Sequence, residues 1–146
     1  MAYWLFKSEP GNWSWEQHKA LGNKGHPVKR SRNYQANNNM KEMKLGDLGF
    51  FYHSVKEKRI VGLVQVVKEH YPDETDQTGR FGIVDVIAVQ DMPNPTTLAE
   101  IKANPDLENM VLVNNSRLSV QPVSEQEWQI ICRMGGLDAP PVSDAA

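Results

Sequence analysis

The sequence predicts one compact, barrel-like α+β domain of mostly antiparallel strands with short helices at its flanks. Two observations carry this prediction. Runs rich in β-branched and aromatic residues recur along the chain, and helix-capping signals lie between them. Strands and helices do not alternate regularly, as they do in parallel βαβ proteins, so the sheet is expected to be mainly antiparallel.

The first third of the chain contains one predicted strand and two predicted helices. Apolar and aromatic residues at 3–6 indicate a buried strand. Ser14 and Gln17 have the spacing of a capping box, which begins a short helix, and residues 22–32 are expected to be loop. A second helix should end before Gly46. The apolar face of that helix consists of Ala36, Met40 and Met43, at i, i+4 and i+7.

The middle of the chain is typical of antiparallel sheet. Strands are predicted at 48–53, 60–68 and 81–89, because these stretches are rich in Val, Ile and Phe. The connection at 54–58 is polar, and residues 71–79 form an acidic, turn-rich loop. A sheet of at least three adjacent strands is therefore expected here.

The last third adds two short helices and a final strand. A capping box at Thr97 begins one helix, which Pro105 ends. Residues 118–123 form the last strand. Ser124 caps a C-terminal helix that runs to Gly135.

Length and composition indicate a single soluble domain. We expect the domain to cover residues 1–136 and residues 137–146 to be a disordered tail, because that tail is small and polar. No apolar stretch approaches the roughly 20 residues that cross a bilayer. The single cysteine, Cys132, has no internal partner and lies on an apolar helical stripe, so we interpret it as an inert buried thiol. The expected location is the cytoplasm, or the nucleus in a nucleated cell.

Charge is distributed unevenly along the chain. The net charge is −2, and no acidic residue lies between Glu16 and Glu42. The basic residues in that interval are Lys19, Lys24, Lys29, Arg30, Arg32 and Lys41. A basic segment on an acidic body suits a phosphate-facing patch, and it equally suits a solvated loop.

Three short polar-aromatic segments indicate a recognition site. They are residues 6–10, 32–36 and 116–122, and each joins an apolar run to hydrogen-bonding groups. Polar side chains at strand ends are typical of a binding pocket rather than of a packed core.

These segments, together with residues 46–54, resemble the signature blocks of the EVE domain family in order and spacing. The resemblance covers about residues 2–134. It implies a PUA-like pseudo-barrel and relatedness to YTH and SRA-like domains, which recognise modified bases in RNA or DNA. Two positions depart from the family pattern: the approach at 27–31 lacks the usual Trp and Gly-Val pair, and Asn37 stands where an Arg is common.

A base-binding pocket needs aromatic faces for stacking and polar groups for the base edge and phosphate. We expect the stacking residues to be Trp4, Tyr34 and Tyr52, although Trp4 also suits the core. Phosphate contacts are expected from Lys7 and Arg32, with Arg117 reaching phosphate or base or pairing with Glu9 in a buried network. Edge contacts are expected from Ser8, Asn33, Gln35, Ser54 and Ser119. These residues should converge at one mouth of the barrel.

The sequence therefore predicts a non-enzymatic nucleic-acid-binding domain that recognises a modified base, such as methylated or hydroxymethylated cytosine. The four histidines are scattered without metal-ligand spacing, and no catalytic constellation, cofactor motif or Gly-rich phosphate loop is found. Two alternatives stay open. One is a module that binds a small molecule or a peptide, and the other is an uncharacterised enzyme on a PUA-like fold.

Overall fold

The computed structural model describes residues 2–28, 33–115 and 117–142. The strands in these ranges are β1 Tyr3–Ser8, β2 Leu48–His53, β3 Arg59–Pro72, β4 Gly82–Thr97 and β5 Val120–Val123. The helices are α1 Trp15–Lys19, α2 Tyr34–Glu42, α3 Leu98–Ala103, α4 Val111–Asn114 and α5 Glu125–Met134, with a 3-10 turn at Pro105–Leu107.

The strands form one sheet in the order β4-β3-β2-β1-β5. β1 and β2 are parallel, and the other three pairs are antiparallel. The predicted α+β class with a mostly antiparallel sheet is confirmed. In the described part of the chain β4 and β5 remain edge strands, so the hydrogen bonding leaves the sheet open.

Both faces of the sheet are buried, which explains why residues 3–6 of β1 and 48–52 of β2 include no polar side-chain group other than the Tyr hydroxyls and the Trp4 indole N–H. On one face, Tyr3 and Leu5 of β1 pack under α5, where the Trp128 ring lies 4.6 Å from the Tyr3 ring. On the other face, Trp4 and Phe6 pack with residues of α1 and α2. Side chains alternate along a strand, so neighbours in β1 belong to different cores.

The three predicted capping boxes are confirmed at Ser14, Thr97 and Ser124, where each side chain accepts a backbone N–H and the third helical residue reciprocates. Gly46 does not directly follow the last residue of α2, although the sequence predicts that it does. α2 ends at Glu42, and Gly46, with φ of +90°, lies in the turn before β2.

β3 and β4 are longer than the sequence predicts. β4 continues through Pro93 and Pro95, which in a sequence indicate the end of a strand. An edge strand tolerates proline because one row of its N–H groups needs no partner in the sheet. α4 and the 3-10 turn are further short elements that the sequence analysis missed.

Of the predicted tail, residues 137–142 are described and contact the core, and residues 143–146 lie outside the described residues. The Leu137 N–H donates to the Cys132 carbonyl at 2.9 Å, after Gly136 turns the chain with φ of +93°. The Trp128 indole N–H donates to the Pro141 carbonyl at 2.8 Å. This segment, although its residues are mostly small or polar, is thus attached to the core through Leu137 and through the carbonyl oxygen of Pro141.

Across the described ranges, every helix is too short or too polar to span a membrane.

Candidate nucleic-acid interface

The parallel strands β1 and β2 end side by side, with Lys7 opposite Tyr52 and Ser8 opposite His53. Lys7 and Tyr52 continue the face that carries Tyr3 in β1. The apolar core on this face therefore gives way to polar groups at the strand ends.

A cavity of about 400 Å³ opens at these strand ends. We call it the strand-end pocket. Its lining residues are Lys7, Tyr52, Ser54, Val55, Lys58, Leu98, Lys102, Leu112, Arg117 and Ser119. This volume lies in the range of small-ligand sites and suits a single base with its sugar.

The wall of the strand-end pocket is strongly cationic. Lys7, Lys58, Lys102 and Arg117 line it, and its described lining residues include no Asp or Glu. A lining that is rich in cations favours an anionic ligand, above all phosphate.

The floor of the pocket supplies neutral hydrogen-bonding groups. Burial raises the pKa of Tyr52 to about 12, so its hydroxyl stays protonated and can donate. Within the described residues that hydroxyl has no hydrogen-bonding partner, while the Lys7 Nζ lies 5.8 Å from the ring centroid. The Ser54 and Ser119 hydroxyls can donate or accept. A base edge would meet donors and acceptors here.

Main-chain hydrogen bonds hold the walls of the pocket. The Lys7 N–H donates to the Ser119 carbonyl, and the Ser54 N–H donates to the Ser8 carbonyl, both at 2.9 Å. The Leu98 N–H donates to the Lys58 carbonyl at 2.8 Å, which joins the β2–β3 turn to α3. The pocket is therefore formed before a ligand arrives.

Two of the three polar-aromatic segments meet at this pocket. The predicted site residues that line it are Lys7, Tyr52, Ser54, Arg117 and Ser119. Arg117 and Glu9 are both exposed. The Glu9 carboxylate accepts from Asn12 at 3.2 Å. The described residues thus give Arg117 no buried carboxylate partner, which corrects the alternative of a buried Arg117–Glu9 network.

Trp4 does not reach the pocket, because the alternation of β1 points it to the opposite face. It is only 4% exposed, and its indole N–H donates to the Asp47 carboxylate at 2.9 Å. Stacking of Trp4 on a ligand in the strand-end pocket is therefore ruled out. Ser8 lies on the same side as Trp4, is buried, and donates its hydroxyl to the Trp13 carbonyl.

The middle polar-aromatic segment lies apart from the pocket walls. Asn33 caps α2 by accepting the Ala36 N–H at 2.8 Å, and Gln35 is exposed on the first turn. Tyr34 is 58% exposed, with its ring 4.9 Å from that of Phe81. The predicted convergence of Tyr34 with Lys7 and Arg117 is thus wrong for the pocket itself, and Arg32 lies outside the described residues.

Asn37, which departs from the family pattern, has a structural place. It is buried, and its side-chain oxygen accepts from the Gly82 N–H and from His70 Nε2, both at 2.9 Å. This amide joins α2 to β3 and β4 and is not available to a ligand.

The sequence analysis missed Lys58 and Lys102. Lys58 ends the polar connection that directly follows a strand with site residues. This position in the sequence could have indicated that Lys58 lies near the site. Lys102 lies on α3, and only the fold brings it to β1; nothing in its neighbours along the chain indicates a site.

Outside the pocket, the side chains of His53 and Cys132 are held by hydrogen bonds and by burial. His53 Nε2 accepts the Trp15 N–H at 3.0 Å, and its Nδ1 donates to Glu57 at 2.9 Å, so both ring nitrogens are occupied. This hydrogen bond lowers the pKa of Glu57. Burial raises the pKa of Cys132 to about 12, which keeps it a thiol. No group of three His, Cys, Asp or Glu side chains in the described ranges is arranged to hold a metal ion.

The architecture is an α+β fold that the YTH domain shares. The YTH domain of a Zygosaccharomyces rouxii protein superposes with a TM-score of 0.53 at 17% identity, over 92% of this chain and 86% of that one, which shows the fold alone. The sequence matches the EVE domain over residues 2–134. The chain belongs to the EVE domain family.

Relatives and solved structures agree with this assignment. Chicken thymocyte nuclear protein 1 is 35% identical over 88% of this chain, which spans 66% of the chicken protein. A crystal structure of a protein from Agrobacterium tumefaciens has a TM-score of 0.94 at 53% identity, covering 98% of this chain and 99% of that one. The human THYN1 protein, solved in complex with 5-methylcytosine-containing DNA, has a TM-score of 0.87 at 34% identity, covering 93% and 98%.

Proposed function

We propose that this protein is a non-enzymatic reader of nucleic acid that holds one modified base, such as methylated or hydroxymethylated cytosine, in the strand-end pocket. The base enters either from a single strand or after rotation out of a duplex. The cations at the pocket hold the flanking phosphates.

One observation carries this proposal: the pocket combines four cations with a neutral, buried phenol. Lys7, Lys58, Lys102 and Arg117 offer charge to phosphate, while Tyr52 offers an uncharged hydroxyl. Phosphate contacts position a nucleic acid, and contacts to the base edge select it. Side chains suited to both kinds of contact line this one cavity.

The complex of human THYN1 with 5-methylcytosine-containing DNA supports the same ligand class for this chain. The two folds superpose over 93% of this chain and 98% of that one, which supports a ligand of the same class here. Because the chain spans 66% of the chicken relative, activities of the longer proteins transfer to it only as proposals.

Selectivity for the modification is expected to be modest. A methyl group adds little polarity, so the pocket distinguishes it by shape and apolar contact, where Leu112 and Leu98 supply apolar surface. One methylene in such a pocket discriminates by about 10- to 200-fold.

We also propose that the protein is not an enzyme and that it lies in the cytoplasm, or in the nucleus of a nucleated cell. The proposal of a non-enzymatic role rests on a pocket whose side chains bind and position a ligand rather than transfer protons. His53 and Cys132, which have the most reactive side-chain types, are respectively saturated with hydrogen bonds and buried.

The test is a binding screen of the pure protein by fluorescence anisotropy. The probes are matched single-stranded and duplex oligonucleotides that carry cytosine, 5-methylcytosine, 5-hydroxymethylcytosine or N6-methyladenine at one position. We expect at least one modified probe to bind more tightly than its unmodified counterpart. Equal and weak binding to every probe contradicts the proposal and favours a small anionic metabolite as the ligand.

A further inference from the structure

The turn between β2 and β3 has an unusual backbone. In the described part of the chain, positive φ occurs at four glycines and at two other residues, Val55 with φ of +72° and Lys58 with φ of +49°. A β-branched residue is disfavoured in this region because its Cβ meets the carbonyl oxygen. Strain of this kind persists only where the surroundings impose it, and it concentrates at ligand sites.

The surroundings of this turn do impose its shape. The Ser54 N–H bonds to the end of β1, the Lys56 N–H returns to the Ser54 carbonyl at 3.0 Å, and the Lys58 carbonyl accepts from α3. The turn is thus attached to β1 and to α3, and Val55 is held at its tip.

Val55 presents an apolar side chain to solvent at the rim of the strand-end pocket. It is 57% exposed and also lines a second hollow of about 210 Å³ on the far side of the turn. Exposed Lys56 and Lys58 follow it in the turn, with the exposed Glu57 between them. An apolar side chain that is exposed at such a position does not contribute to the core.

We propose that Val55 is a wedge that enters the base stack where the base held in the pocket has left it, while Lys56 and Lys58 contact the adjacent phosphates. This inference rests on the proposed function, since it needs a base in the strand-end pocket. Extrusion of a base leaves a gap between its neighbours, and proteins that bend DNA insert apolar side chains between base steps. Valine has few side-chain rotamers, so little conformational freedom is lost when it inserts.

The wedge matters for a duplex and not for a single strand, where no stack has to be opened. The experiment therefore compares Val55→Gly, Val55→Ile and the wild type on a 5-methylcytosine duplex and on the same strand alone. A 2-aminopurine next to the methylated position reports unstacking by its fluorescence. Glycine suits φ of +72°, so Val55→Gly removes the wedge without disturbing the turn.

We expect Val55→Gly to lower duplex affinity by about tenfold or more and to abolish the 2-aminopurine signal. Because Val55 also lines the pocket rim, single-strand affinity should fall as well, but by much less than duplex affinity. Val55→Ile should retain both. The matched control is Val142→Gly, which removes a valine that is 60% exposed and outside the pocket; it should change nothing. The melting temperature of Val55→Gly should equal or exceed that of the wild type.

Several outcomes overturn the wedge. They are an equal loss on duplex and single strand, no loss on either, or a lower melting temperature in Val55→Gly, which would mean that valine supports the fold. Binding of the wild type to methylated single strands alone removes the wedge but leaves the proposed function. No preference for the methylated probe in either form overturns the proposed function and the wedge with it.

Discussion

At the scale of single residues, Arg117 distinguishes a binding role from a structural one. Its side chain is exposed at the pocket rim, so it makes no buried ion pair in the described structure. We predict that Arg117→Ala lowers affinity for the preferred modified oligonucleotide by about 1–3 kcal/mol and leaves the melting temperature nearly unchanged. Titration and thermal melting of the same protein sample check both parts.

Arg133→Ala is the matched control for that variant, because Arg133 is exposed on α5 and does not line the pocket. It removes the same charge and should leave affinity nearly unchanged. If Arg117→Ala instead lost about 3–5 kcal/mol of stability, it would have broken a buried ion pair, and a structural role would be indicated.

At the scale of elements, α5 and the segment that follows it act together. α5 places Trp128 over Tyr3 and Phe50, and residues 137–142 return across it. We predict that a chain ending at Gly136 is less stable by about 1–3 kcal/mol, because it loses the packing of Leu137 and leaves the Trp128 N–H without its carbonyl partner. Chemical denaturation of the shortened and full chains measures the difference.

The single substitution Leu137→Ala separates the two contributions. It removes the apolar contact and keeps the Pro141 carbonyl, so it should reproduce only part of the loss. If the denaturation midpoint of the shortened chain equals that of the full chain, residues 137–142 do not contribute to stability and are a frayed tail.

At the scale of the whole molecule, buried His18 and half-buried His70 couple stability to pH. His18 accepts the Trp13 indole N–H at 2.9 Å and donates to the Val86 carbonyl at 2.9 Å, an arrangement that requires the neutral ring. Burial lowers the pKa of His18, and burial likewise lowers the pKa of His70. The unfolded chain binds protons first as pH falls, so this contribution to stability is full above about pH 6.5 and is lost below it.

We therefore predict that the free energy of unfolding falls between pH 7 and pH 5, before the carboxylates titrate. Denaturant titrations at several pH values measure it. His18→Gln is the informative variant, because an amide can accept from Trp13 and donate to Val86 without titrating. The free energy of unfolding of this variant should depend less steeply on pH than that of the wild type. A free energy of unfolding that stays constant from pH 7 to pH 5 would contradict the expectation.

The charge distribution of the whole molecule sets the salt dependence of binding. Lys19, which the sequence places in the basic segment, is paired with Glu16 and Asp91, and the hydrogen bond to Asp91 raises its pKa. Lys29, Arg30 and Arg32 lie outside the described residues. The cations of the strand-end pocket come from other parts of the chain, so among the described residues the proposed phosphate contacts are few, on a chain of net charge −2.

We predict that the logarithm of affinity falls with the logarithm of salt concentration at a slope that corresponds to about 2–4 phosphates. Titrations of a modified oligonucleotide between low and physiological salt measure the slope. A much steeper slope, as for proteins that coat DNA, would show that the acidic body also contacts nucleic acid.

The sequence by itself determined the α+β class, the capped helices that begin after Ser14, Thr97 and Ser124, and the family. These are local properties: a capping box needs four residues, and a buried strand needs one apolar run. The sequence also indicated that β2 ends at His53, because polar residues follow an apolar run there.

Only the tertiary structure decided which side chains share a site. Strand alternation sends Lys7 to the pocket and Trp4 to the opposite core, and one residue of register is enough to exchange them. Lys102 comes to β1 because α3 packs at the strand ends, and Tyr34 stays away because α2 packs on the other face. A pocket depends on contacts between residues far apart in the chain, and these follow from the packing of elements rather than from any local pattern.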